Sequence, residues 1–315
     1  MNKDLRLSRV LPIVLLTIIL IVACLYVPVL SIMLVIIPIP FAIIATLSNI
    51  KNNIISLVIT FIVLVFIKPT YAVDILINSM IPGMIIGIMT KKVLTNGQSN
   101  KYGPIFFGSI VFILSVIVHY FVSKYIFSVD ILSELIKAFN QSVESQKDIL
   151  QNIGNNELLD TKTLSDTFRN IIPSILFFRG IILSIIVYLV EIFALKKMKY
   201  EYISEIKFRN FYLPGNAILI SFMMYLLMMV LSYIKTPLYT DAIFLNLQMV
   251  FNFMFILQGI SVCIYFIKKW LKQGLNLKMV IVAFCVGIFG VMSISFIGMV
   301  DSILDFREVR ICKSV

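Results

Sequence analysis

The chain has 315 residues, of which 60% are hydrophobic and only 14% charged, with a formal net charge of +11. A mean hydropathy of +1.02 excludes a water-soluble globular protein, because a soluble fold of this size has no interior large enough to hide so much Ile, Leu, Val and Phe. The basic excess does not point to nucleic acid: the lysines and arginines stand in short segments beside apolar runs, with no aromatic-interleaved basic domain to grip phosphates.

The apolar runs are continuous rather than alternating, which predicts membrane-spanning helices over a barrel. In chain order they cover about Val10 to Val27, Ile32 to Leu47, Ile54 to Ile67, Tyr71 to Met89, Ile105 to Val122, Ile171 to Leu195, Leu213 to Ile234, Ala242 to Ile267 and Met279 to Val300. The expected fold is an all-α, polytopic transmembrane helical bundle of about nine spans. The third run is short, and Pro38 and Pro40 interrupt the second, so either one is a candidate for a broken or re-entrant span. Residues 1–122 hold the first five spans, 123–170 an extramembrane segment, and 171–315 the last four spans with a short tail.

Charge sets the orientation. With nine spans and a cytoplasmic N-terminus, the inner segments carry 16 basic residues, including Lys91, Lys92, Lys196, Lys197, Lys268 and Lys269, against three acids. Outside, 10 basic residues face 11 acids. Making the third run re-entrant destroys this bias, so nine spans are kept.

The segment Ser123 to Asn170 then lies outside and reads as an amphipathic hairpin. Ile131, Leu132, Leu135, Ile136, Phe139 and Val143 recur at helical spacing. Gly154-Asn155-Asn156 breaks the pattern, and Thr163 with Asp166 resembles a capping box. Such a pair either acts as a lid or lies at the interface and shields the bundle.

Polar residues inside apolar runs are expensive and therefore informative. Arg179 lies about two turns into its span and requires a partner; Asp74 is the nearest candidate in depth, and Asn78, four residues on, shares its helical face. Two readings stand side by side: an Asp74, Asn78 and Arg179 cluster in the outer half of the bundle, or an Asp74 that complements its helix N-terminus while Arg179 snorkels to headgroups. In the eighth span Gln248, Asn252, Phe255 and Gly259 fall on one stripe, with Asn246 and Gln258 off it. That stripe is either interhelical glue or the lining of a solute site. The candidate ligand-binding residues are thus Asp74, Asn78, Arg179, Gln248 and Asn252. Glu191 and His119 sit near span ends and read as interfacial residues rather than proton carriers.

Enzyme chemistry finds no support: there is one His, no phosphate-binding Gly-rich loop and no nucleophile motif. No cofactor or metal is expected, since Cys24, Cys263, Cys285 and Cys312 have no ligand-like spacing. Ile21-Val22-Ala23-Cys24 has the outline of a lipobox, but the chain continues apolar beyond it, as an uncleaved span does.

Several local patterns together resemble the YybS-like family of bacterial multi-pass membrane proteins. They are Pro38-Ile39-Pro40-Phe41, the stretch Lys207-Phe208-Arg209-Asn210-Phe211 before Leu213-Pro214, Gln258-Gly259-Ile260-Ser261 leading to Tyr265-Phe266, and Gly298-Met299-Val300-Asp301 followed by Asp305-Phe306-Arg307. The resemblance implies a protein of the bacterial plasma membrane. It also implies a distant likeness of the first six spans to substrate-capture (S) subunits of energy-coupling-factor transporters. Expected partners are the lipid bilayer, a small-molecule solute and a membrane coupling module; the alternative is a scaffold or regulatory partner of another membrane protein.

Overall fold

A computed structural model describes residues 7–95, 102–152, 161–198, 208, 211–213, 217–233, 240–273, 290 and 293–308. Every regular element among them is helical. Seven helical segments are long and apolar enough to cross a bilayer: Leu7–Tyr26, Pro28–Leu47, Ile50–Ile67, Pro69–Thr95, Gly103–Tyr125, Thr163–Lys197 and Ala242–Lys269. Of two shorter apolar helices, Ile218–Leu231 falls within the seventh apolar run and Ser293–Leu304 overlaps the end of the ninth and continues past it. The intervening part of the ninth run lies outside the described residues.

The elements follow the local chemistry closely. Helix α1 spans Leu7–Tyr26. Pro28 then opens a 3-10 segment, Pro28–Ile36, and Pro38 opens α2, Pro38–Leu47, so the second span is broken where the prolines predicted it. The third span is complete: α3, Ile50–Ile67, has 18 residues because Asn49 caps it, accepting a bond from the Asn52 backbone N–H at 2.9 Å. Its polar first turn, Lys51-Asn52-Asn53, hides those residues from a hydropathy reading.

The fourth span joins α4, Pro69–Ile75, to α5, Ile81–Thr95, through a π turn at Leu76–Met80. Pro82 has no N–H and its ring crowds the carbonyl of Asn78, and the wider π turn absorbs that clash. Next come α6, Gly103–Tyr125, and α7, Ile131–Asn152. Asp130 caps α7 by accepting from the Ser133 N–H at 3.1 Å. That backbone bond, with Lys124 nearby, holds the Asp130 carboxyl below its usual range.

The Thr163 capping box is not used. Helix α8 runs unbroken over Thr161–Lys197, 37 residues, and so combines the expected second limb of the hairpin with the sixth span. At 1.5 Å per residue it is about 55 Å long, well beyond a 30 Å hydrocarbon core. Phe168 stacks on Phe139 of α7 with ring centroids 4.1 Å apart. The remaining helices are α9, Ala217–Tyr233, α10, Thr240–Gln273, and α11, Ser293–Leu304.

Backbone packing divides the chain into two compact units, Met1–Arg169 with Ile175–Ser204, and Asn170–Ser174 with Glu205–Val315. In the first, Ile21, Ile37, Phe41, Leu64, Ala72, Ile75 and Met80 form an apolar core drawn from α1 to the π turn. Glycine then brings helices into backbone contact. A methyl group added to Gly83 or Gly87 of α5 would overlap the carbonyl oxygen of Pro38 or Ala42 on α2. Gly108 of α6 likewise faces Ser184 of α8, and Gly180 of α8 faces Ser109 and Ile113 of α6. Lipid supplies no hydrophobic drive between helices, so such close approach is what binds them.

Gly87→Ala is therefore expected to lower stability by about 1–3 kcal/mol, since its methyl group meets backbone that must shift. Gly103→Ala, where a methyl group meets nothing within 4 Å, is the control. Thermal melts of the full chain in detergent check this; equal melting temperatures would refute the close packing of α2 on α5.

Candidate functional site

Three polar clusters are built into the helices, two in the first unit and one in the second. The first gathers around Asp74 of α4. Asn78, one turn on and inside the π turn, donates from Nδ2 to Asp74 Oδ1 at 2.7 Å and lies 2.9 Å from His119 Nδ1 of α6. His119 Nδ1 is also 3.4 Å from Asp74 Oδ1, and Ser115 Oγ lies 3.2 Å from Asn78 Oδ1. With the imidazole neutral, one amide hydrogen of Asn78 serves the carboxylate and the other serves Nδ1. With it protonated, Nδ1–H turns to Asp74 instead.

The structure thus joins Asp74 to Asn78, but gives Asp74 a partner the sequence reading had placed at the interface. His119 is half-buried, with 22% of its side chain exposed, and belongs to the cluster. Arg179 is not hydrogen-bonded to Asp74 or Asn78; its Nη1 is buried without a hydrogen-bond partner among the described residues, as is the Tyr71 hydroxyl. Both groups nevertheless lie within electrostatic range of Asp74.

Glu191 corrects the second interfacial assignment. It is fully buried in α8, and its carboxyl is held by Thr46 of α2 at Oε1 and by Thr90 of α5, 2.9 Å from Oε2. The interfacial reading failed because α2 and α5 meet α8 at their threonines, a contact that spacing along one helix does not reveal.

In the second unit Arg307 and Asp301 are both buried and paired at 2.8 Å. Gln258 of α10, wholly buried, donates to Asp301 Oδ2 at 2.9 Å and accepts from the Leu213 N–H at 2.7 Å. Arg307 Nη1 donates to Ser261 Oγ at 2.7 Å, and Nη2 to the Phe211 carbonyl at 2.8 Å. Nearly every pattern behind the family resemblance after residue 200 meets in this knot: Phe208, Phe211, Leu213, Gln258, Ser261, Asp301 and Arg307. Spacing along the chain could not reveal it, because Phe211 and Arg307 are brought together only by folding.

Gln248 and Asn252 stand apart from these clusters. Both are exposed; Asn252 Oδ1 accepts from Ser295 Oγ of α11 at 2.5 Å, and among the described residues Gln248 has no hydrogen bond. Phe255 and Gly259, on the same stripe, meet α11 at Gly298 and Ile294. At Phe255 and Gly259 the stripe is a helix-packing face. Off it, Asn246 bonds Ser174 Oγ at 2.6 Å and the Asn170 carbonyl at 2.6 Å.

Removing either Asp301 or Arg307 leaves a buried charge without its counterion, so each alanine variant is expected to lose about 3–5 kcal/mol. The Asp301→Ala/Arg307→Ala double variant should lose less than the sum of the two, measured by denaturation of the purified protein. Additive losses would mean that the pair is not coupled.

No curated protein and no solved structure matches the chain. The model of the family described as Predicted membrane protein (DUF2232) matches residues 15–302, almost the entire length, and the protein belongs to that family.

Proposed function

We propose that this is a non-enzymatic, solute-binding subunit of the bacterial plasma membrane. Its N-terminus is cytoplasmic, the Ser123 to Asn170 segment is outside, and its site is at Asp74, Asn78, His119, Tyr71 and Arg179. One observation carries the reading: two buried donors without partners, Arg179 Nη1 and the Tyr71 hydroxyl, stand in the electrostatic range of one carboxylate. An unmatched guanidinium inside a membrane bundle costs several kcal/mol. A solute with an anionic oxygen group answers both donors, and Asp74 with Asn78 supplies acceptors for an amine or hydroxyl on the same molecule. The π turn at Asn78 supports the assignment, since such turns occur frequently at functional sites.

Uptake driven by ATP requires a partner that supplies it, because the sequence has no phosphate-binding loop for ATP. The reading therefore includes membrane subunits docked on the cytoplasmic loops, as in the capture subunits that the first six spans resemble.

The expected result is that small carboxylates and amino acids, screened by thermal shift on the purified protein, include at least one that raises the melting temperature. Arg179→Ala should abolish that rise and Arg179→Lys should retain part of it. A single co-purifying membrane protein with no stabilising solute would replace this reading with that of a scaffold.

Orientation is checked separately. In a cysteine-free background, Ser142→Cys should react with an impermeant thiol reagent on intact cells and Lys199→Cys should not; labelling of Lys199→Cys would reverse the topology.

A further inference from the structure

The cluster at Glu191 lies apart from the proposed solute site and asks a different question: what charge state does a carboxyl adopt there? Glu191 has no exposed surface, and its polar contacts are the hydroxyls of Thr46 and Thr90. Thr46 Oγ1 is also 3.0 Å from the Ala42 carbonyl and 3.0 Å from the Gly87 carbonyl, and Thr90 Oγ1 is 3.0 Å from the Ile86 carbonyl. Five acceptor contacts thus surround two hydroxyls, which bring two hydrogens between them.

An ionised Glu191 adds no hydrogen and would put Thr46 Oγ1 among three acceptors, one of them a full negative charge. A carboxylic acid adds the missing hydrogen: Glu191 donates to Thr46, Thr46 donates to a backbone carbonyl, and Thr90 donates to the other Glu191 oxygen. Three hydrogens then serve these contacts, and Glu191 shares one with Thr46 instead of facing it as a bare charge.

The surrounding charges do not alter this. On α8, Tyr188 lies one turn before Glu191 and is buried, and Tyr102 stands within electrostatic range of Tyr188. Helix α2 carries no titratable residue, and α5 carries Lys91 and Lys92. Lys91 directs its ammonium to the Ser48 carbonyl at 2.6 Å, and among the described residues no ion pair within 4.0 Å reaches Glu191. Burial without a cation therefore acts against the charged form.

We infer that Glu191 is a proton-binding site inside the membrane, a neutral carboxylic acid that joins α2, α5 and α8 through Thr46 and Thr90. Gly87 sets α5 against α2, Gly108 of α6 packs on both Ile86 of α5 and Ser184 of α8, and Glu191 is left with no exposed surface. The bound proton is then a ligand of the helix junction: losing it leaves a bare charge that the closed junction does not solvate, so its departure requires the three helices to part or a cation to enter.

Infrared spectroscopy of the full-length protein in lipid at neutral pH tests this. Wild type should show a C=O stretch of an un-ionised carboxylic acid, shifted by deuterium exchange and missing from Glu191→Gln. Glu191→Gln, which preserves the neutral shape, should fold and melt at a temperature close to wild type. The folded state holds a proton that an exposed, unfolded carboxyl releases, so wild-type stability should fall as pH rises, and this component should vanish in Glu191→Gln. Loss of a carboxylate band instead, or an unchanged spectrum, overturns the inference. If Glu191→Gln does not fold, Thr90→Val reads the same band: removing a hydrogen-bond donor from the C=O should move it, and an unmoved band overturns the assignment.

Discussion

Hydrocarbon offers no hydrogen bonds, and this one deficiency organises the protein. Each helix satisfies its own backbone, but each polar side chain that leaves water must find a partner, either a carbonyl of its own helix, as for Thr17 and Thr60, or a group on a neighbouring helix. The described helices meet that demand at a few concentrated places. Thr46, Thr90 and Glu191 join α2, α5 and α8; Asp74, Asn78, Ser115 and His119 join the fourth span to α6; Gln258, Asp301, Arg307 and Ser261 join α10 to the chain after α11.

Polar contacts need short distances, and glycine provides them. Gly87 lies three residues before Thr90, and its face on Ala42 sets α5 against the same helix that carries Thr46. Gly259 and Gly298 play the same part beside Gln258 and Asp301. Close approach through small residues and buried polar knots are two parts of one packing solution: without the first, Glu191 would be reached by water or by lipid, and without the second, the helices would have little to fix their register.

The two clusters of the first unit differ in how far they are satisfied. Around Glu191 all polar atoms have partners once a proton is counted. Around Asp74, Arg179 and Tyr71 each retain an unmatched buried atom, and the helix itself departs from α geometry. A saturated cluster reads as structure with a titratable centre, and an unsaturated one as a place prepared for something to bind.

How far did the sequence reach? It determined that the chain is an all-helical membrane protein, where most spans run, that the second span was a candidate for a break at its prolines and that Asp74 and Asn78 share a face. These are properties of hydropathy, of proline and of helical periodicity, which act over a few residues. Tertiary structure decided the rest. Whether Glu191 met lipid headgroups or two threonines, whether Arg179 was paired, and whether Gln258 or Gln248 mattered all depend on which residues of other helices arrive beside them. Thr46 and Glu191 are 145 positions apart, and Phe211 and Arg307 are 96 apart. An apolar span has many faces and sliding registers of similar hydropathy, so only the packing of backbone on backbone selects the one in which distant polar atoms coincide.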